Sequence, residues 1–214
     1  MAKLKLDYVD LYLIHWMLPK HEPAQEGQPL TLHGTPLHKV WPQMEALVDA
    51  GLAKSIGVSN CTIVMLLDLF TYARIKPAMN QIELHPYLSQ SDAVAFNKKL
   101  GVAVTGYSPL GASGFAHKAA GLKELNLHKE ELLVAIGAKY GKSPAQVALN
   151  WHVKHRGHIV IPKTAKVERL SENLRVYDFE LTKEEYEKID ELNCNARFFN
   201  PKNWASYLNA PLFE

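Results

Sequence analysis

The chain has 214 residues, 47% hydrophobic and 21% charged, which suits a globular domain able to bury a core. Its net charge of +2, from 24 basic and 22 acidic residues, gives no electrostatic case for nucleic acid or an anionic membrane. Two cysteines, Cys61 and Cys194, make neither a disulfide framework nor a zinc site, and no apolar stretch approaches the roughly 20 residues of a membrane span. Met1–Lys5 leads into the first strand without a secretory pattern, so the expectation is one domain over residues 1–214, cytoplasmic and without a metal.

Strand and helix patterns alternate from the start. Tyr8–Ile14 is an apolar run of the kind found in buried parallel strands, and it ends at His15-Trp16. The stretch from about Lys20 to Pro36 has prolines, glycines and no period, and reads as a loop. From Leu37 to Asp49, apolar residues at 40, 41, 44, 47 and 48 follow a helical period that Gly51 closes. Strands follow at Lys54–Val58, Ala78–Leu84, Val102–Tyr107 and His158–Ile161. Helices are expected at 62–73, 91–100, 129–140, 144–155 and 167–174, and a last one opens at Thr182, with Glu185 at capping-box spacing. Ser143-Pro144 is a cap followed by a first-turn proline, and the tail from Asn195 is irregular and aromatic.

About five β-α units in succession imply a parallel sheet covered by helices. A doubly wound sheet and a (β/α)8 barrel both fit that order. A doubly wound dinucleotide fold carries G-x-G-x-x-G after its first strand, and that motif is absent here, which favours the barrel. In barrels, chemistry sits at the carboxyl ends of the strands. Each strand-end residue also has a plain structural reading. A single histidine such as His15 is more often structural, Ser59-Asn60 fits a helix cap, and Tyr107 fits a core aromatic. Lys163, Lys166 and Arg169 fit a solvated helix start, although the apolar run 159–162 before them aims them at the functional face.

Taken together, His15-Trp16, Gly57-Val58-Ser59-Asn60, Asn80-Gln81-Ile82-Glu83, Gly106-Tyr107-Ser108-Pro109-Leu110-Gly111 and Ile161-Pro162-Lys163-Thr164 fall in order after successive strands. With the longer segments Met44–Asn60 and Ile161–Asn173, this series resembles the aldo-keto reductase superfamily over the whole length, and the tail segments Arg197–Trp204 and Ala210–Phe213 are similar to its aldose- and xylose-reductase branch. The resemblance implies an α/β fold, a (β/α)8 TIM barrel lacking about the first three β-α units. It implies an NADP(H)-dependent oxidoreductase that reduces an aldehyde or aldose by hydride transfer.

The resemblance also implies roles for individual residues. His15 would orient the substrate carbonyl and Trp16 line the substrate pocket. Ser59, Asn60 and Gln81 would hold the nicotinamide carboxamide, and Tyr107 would stack on its ring. Ser108, Leu110 and the Gly111–Gly114 loop would lie along the pyrophosphate. Lys163, Thr164, Lys166 and Arg169 would meet the adenosine 2′-phosphate, with Glu172 and Asn173 at the adenine. These roles are chemically coherent. Hydride transfer needs a flat, fixed ring, and a 2′-phosphate needs cations at a helix start.

One part of the family pattern is missing. The tyrosine acid, its lysine and their aspartate have no counterpart in the matching context, so the chain is expected to be impaired as a reductase. The alternative reading is a non-catalytic barrel remnant that binds NADP(H) or associates with a partner. Unpaired parallel edges would favour self-association. Neither nucleic acid nor membrane is expected as a partner.

Overall fold

The computed structural model describes residues 1–18, 34–112, 122, 124–204 and 210–213. The expected loop from Lys20 lies largely outside them, as does Gly114. Twelve main elements follow in order: β1 (Val9–Ile14), α1 (Leu37–Asp49), β2 (Ala53–Ser59), α2 (Ile63–Tyr72), β3 (Met79–Glu83), α3 (Ser91–Lys99), β4 (Ala103–Tyr107), α4 (Glu131–Tyr140), α5 (Pro144–Asn150), β5 (Ile159–Ile161), α6 (Val167–Leu174) and α7 (Lys183–Asp190). The strands form a five-stranded sheet in sequence order, β1-β2-β3-β4-β5. Pairing is parallel for β1 with β2, β2 with β3 and β4 with β5, as strand–helix–strand crossovers require.

The chain divides into two compact units. The first comprises Met1–Ile82, Asp92–Val104 and Asn200–Glu214, and the second Glu83–Ser91 and Thr105–Phe199.

In the first unit α1 and α2 pack an apolar core on β2. Trp41, Ile56, Val58, Leu66 and Leu69 are wholly buried. The indole of Trp41 donates to the Ile75 carbonyl at 3.0 Å. The buried Glu45 carboxylate accepts the amides of Arg74 (2.7 Å) and Ile75 (2.9 Å), satisfying backbone groups that follow α2. Thr62 caps α2 through its hydroxyl, which accepts from Met65 N. Gly57 is obligatory in β2, because a Cβ there would lie 2.5 Å from the Met79 carbonyl oxygen. The run Tyr8–Ile14, read as a buried strand, is instead the end strand of the sheet, and Tyr12 is 50% exposed.

In the second unit Leu133, Val147, Trp151 and Ile189 form the centre of a core closed by α4, α5 and α7. The capping box expected at Thr182 and Glu185 is present, and the Ser143 cap forms a second one with Gln146. The helix expected over 144–155 is regular only to Asn150, and Trp151–His155 is a π-helical turn. There the Arg156 amide reaches the Trp151 carbonyl (3.1 Å) and the Trp151 indole donates to Asp190 (2.9 Å). A wide turn fits two bulky buried rings, Trp151 and His152, side by side. Glu83, at the end of β3 and wholly buried, accepts the amides of Phe198 (2.8 Å) and Phe199 (3.0 Å) and faces His85 Nε2 at 3.0 Å. That carboxylate fastens the tail to the sheet.

Candidate active site

Within the first unit, four of the residues singled out in the sequence converge just past the strand ends. The Ser59 hydroxyl donates to the Gln81 carbonyl at 2.8 Å, and the Asn60 amide N–H donates to the same oxygen at 2.9 Å. The Asn60 side chain donates to the His15 carbonyl (3.0 Å) and to Ser59 Oγ (3.2 Å). Asn60 adopts φ +56°, a left-handed conformation that asparagine tolerates better than most residues. Ser59 and Asn60 therefore do not cap α2, a task that falls to Thr62. They tie the ends of β1, β2 and β3 together.

The His15 residue itself is exposed. Trp16 lies edge-on to Trp204, with ring centres 5.2 Å apart, and 6.4 Å from Phe213, so the tail builds an aromatic wall beside it.

Within the second unit, Tyr107 ends β4 with its ring 5.6 Å from that of Phe199, edge to face. Burial, and secondarily the Glu83 charge, push its phenol well above the ordinary tyrosine range, partly offset by Arg197, so the hydroxyl stays protonated. After it the chain turns sharply. Ser108 takes φ +50°, Gly111 takes φ +68°, and the Gly111 amide closes the turn on the Ser108 carbonyl at 2.8 Å. A Cβ at Gly111 would meet the Phe198 ring at 3.4 Å.

This turn forms one wall of a cavity of about 760 Å³. Lys163, Thr164, Arg169, Glu172 and Asn173 stand on another wall, so the cavity gathers Ser108, Leu110 and Gly111 with the cationic cluster. Among the described residues, neither Lys163 nor Arg169 has an ion-pair partner, which leaves two positive charges for an anion.

Lys166 is placed differently. It sits at the N-cap of α6, its amide accepted by Thr164 Oγ1 at 3.1 Å, and it does not line the cavity. Sequence reasoning missed Phe199, His128 and Ser143, which do line it. In the sequence Ser143 reads only as a helix cap, and Phe199 reaches the cavity through the Glu83 anchor. Among the described residues, no group of three or more His, Cys, Asp or Glu is placed to hold a metal, and no helix is long and apolar enough to cross a membrane.

Tyrosine–lysine–carboxylate clusters do occur, away from His15 or in the wrong electrostatic state for an acid. Lys54 Nζ donates to Tyr8 Oη and Asp10 Oδ1, both at 2.9 Å. These groups stand at the amino end of β1, while His15 follows its carboxyl end, a strand length of roughly 20 Å away. In the second unit the Tyr140 hydroxyl donates to Glu185, whose carboxylate also takes Lys139, and this bond raises the Tyr140 phenol above its ordinary range.

Residues 1–194 match the Aldo/keto reductase family. The chain is 40% identical over 221 residues to aldose reductase B of Dictyostelium discoideum, spanning 99% of this chain and 67% of that protein. It is 41% identical over 226 residues to the NAD(P)H-dependent D-xylose reductase of Candida tenuis, spanning 100% of this chain and 69% of that protein. The solved aldose reductase from Schistosoma japonicum matches with a TM-score of 0.82 at 33% identity, over 100% of this chain and 67% of that one. The chain thus spans about two thirds of the length of these relatives. Its five strands and their helices are part of a (β/α)8 barrel, and the chain belongs to the aldo/keto reductase family.

Proposed function

We propose that this chain binds NADP(H) and belongs to an enzyme that reduces an aldehyde or aldose. The observation that carries this reading is the second-unit cavity, large enough for part of a dinucleotide, with Lys163 and Arg169 unpaired among the described residues and a tight Ser108–Gly111 turn alongside. The residues fit the group: cations for a 2′-phosphate, backbone amides for a diphosphate, and Glu172 and Asn173 for an adenine edge. When bound, the reduced nicotinamide supplies the hydride that converts a carbonyl to an alcohol. Two similar proteins, from Candida tropicalis and Candida tenuis, are named as NAD(P)H-dependent D-xylose reductases, which supports both the cofactor class and the aldose substrate.

The chain's own residues then have the following work. Lys163 and Arg169 bind the phosphate that distinguishes NADP(H) from NAD(H). Tyr107 presents a neutral aromatic face to the nicotinamide, since burial keeps its phenol protonated. Within the first unit, Ser59, Asn60 and Gln81 are already bonded to one another and offer the hydroxyl and amide groups that suit an amide ligand. His15 donates a hydrogen bond to the substrate carbonyl, and Trp16 with Trp204 and Phe213 shelters it from water. Reduction also needs a proton for the developing alkoxide. Neither Tyr8 nor Tyr140 is set up to give it, so turnover by this chain is weak.

Titration with NADP⁺ and NAD⁺, followed by tryptophan fluorescence, tests binding, and NADPH oxidation with a small aromatic aldehyde tests turnover. Saturable binding that prefers NADP⁺ is expected, with turnover far below the roughly 10 per second of an ordinary enzyme. Lack of NADP⁺ binding overturns the reading, and ordinary turnover overturns its catalytic half.

The end strand β1 carries exposed Tyr12, and Leu6 and Tyr8 just before it are exposed as well, beside a small apolar pocket that includes Val9 and Leu52, a surface suited to a second copy of the chain. Sedimentation that shows only monomer at high micromolar concentration refutes that association.

A further inference from the structure

Two histidines stand outside the site as described so far. His152, in the π-helical turn, is wholly buried, and His158, just before β5, is 6% exposed. His152 Nε2 lies 3.1 Å from the Pro109 carbonyl oxygen, and His152 Nδ1 lies 3.2 Å from His158 Nδ1. A carbonyl oxygen only accepts, so the proton of His152 is on Nε2. Its Nδ1 is then a bare acceptor, and the proton facing it belongs to His158 Nδ1. His158 Nε2 is left bare as well, and among the described residues it has no partner. Burial keeps both rings neutral, with His158 lowered to about 4 by desolvation and by Arg156, against a smaller opposing effect of Asp190. One arrangement of two protons therefore satisfies four atoms in a row, from the Pro109 oxygen to His158 Nδ1.

The end of this row is the Ser108–Gly111 turn. A trans peptide is planar, with its C=O and N–H pointing in opposite directions. Fixing the Pro109 carbonyl toward His152 turns the Leu110 N–H away from the core, on a residue that lines the cavity. Among the described residues, nothing accepts from that amide. We infer that the His152–His158 pair is a positioning device that holds the Pro109–Leu110 peptide so that the Leu110 N–H is offered to the diphosphate of the bound dinucleotide. This rests on the nucleotide reading above.

The pair's two ends call for different replacements. A glutamine at 152 keeps a side-chain N–H to offer the Pro109 carbonyl, whereas a leucine of similar bulk does not. Without the anchor the Pro109–Leu110 peptide is free to rotate, and the charge-assisted bond from Leu110 is lost for part of the time.

The test uses ¹⁵N-labelled full chain. In the unsubstituted protein, NMR should show His152 protonated at Nε2 and His158 at Nδ1, and inorganic pyrophosphate should shift the Leu110 amide. His152→Leu should weaken NADP⁺ binding by about tenfold and abolish that shift, while His152→Gln should stay within about twofold. A merely structural pair would lower thermal stability in both variants without touching the Leu110 response. The opposite tautomers, a Leu110 amide unmoved by pyrophosphate, or a His152→Leu protein that binds NADP⁺ normally would each overturn the inference. A Leu110 amide that responds to pyrophosphate in a protein that does not bind NADP⁺ would instead sink the nucleotide reading. If His152→Leu does not fold, the tautomers and the Leu110 titration of the unsubstituted chain still decide the matter.

Discussion

The side-chain amide of Asn60 donates to the main-chain carbonyl of His15 at 3.0 Å, so one residue of the proposed site fixes the backbone of another. Asn60→Gly keeps the left-handed backbone at φ +56° accessible and loses only the bonds, whereas Asn60→Ala loses both. Urea unfolding should show a loss of about 1–2 kcal/mol for the glycine variant and more for alanine. Equal losses would mean the backbone conformation carries no cost.

Gly57 and Gly51 make a paired comparison. A Cβ at Gly57 would lie 2.5 Å from the Met79 carbonyl oxygen, whereas at Gly51, with φ +70°, it meets nothing within 4 Å. Gly57→Ala has to push β2 from β3 and should cost about 3 kcal/mol or more, while Gly51→Ala should cost about 1 kcal/mol through its backbone alone. Thermal melts of the two variants check the order.

Lys163 and Arg169 should set cofactor preference. On the proposed reading, in which both cavity-lining cations meet the phosphate that only NADP⁺ has, replacing both with alanine should weaken NADP⁺ by at least tenfold and leave NAD⁺ nearly unchanged. The same replacement of the N-cap residue Lys166 should matter less, since it stands off the cavity wall. Competitive fluorescence titration measures all three.

Acid should destabilise the fold through His158. Its folded value of about 4 lies below the ordinary 6.5, so below pH 6.5 the unfolded chain takes up a proton that the folded chain refuses. The contribution is complete above pH 6.5 and shrinks steadily as pH falls, by about 3 kcal/mol at pH 4. His152, lowered further by complete burial, acts in the same direction. Urea midpoints from pH 7.5 to 4.5 should therefore fall, and His158→Asn should flatten the profile.

Much of the architecture was legible because local rules and the final structure agree. Leu37–Asp49 and Val167–Leu174 form helices at the bounds their apolar spacing or strand–helix order suggested, and Ser143-Pro144 starts α5 as its chemistry required. The strand-end residues were findable because a parallel sheet sends every carboxyl end to the same edge. Other features had no local signature. The widening of Trp151–His155 into a π turn depends on how two rings and Asp190 pack, which apolar spacing does not record. The position of β1 at the sheet's end could not be read from its own apolar run. Lys166 differs from Lys163 only in which way the chain faces as α6 begins. Phe199 reaches the cavity through a bond to Glu83, 116 positions earlier, and no window of sequence contains both.

That last bond has a consequence for how the molecule is made. Glu83 leaves the ribosome long before Phe198 and Phe199 exist, so during synthesis its carboxylate has His85 and water beside it but not the two tail amides. The Phe199 wall beside Tyr107 is consequently the final piece to be laid, and a nascent chain arrested before residue 198 would own the cations of the pocket without its aromatic side.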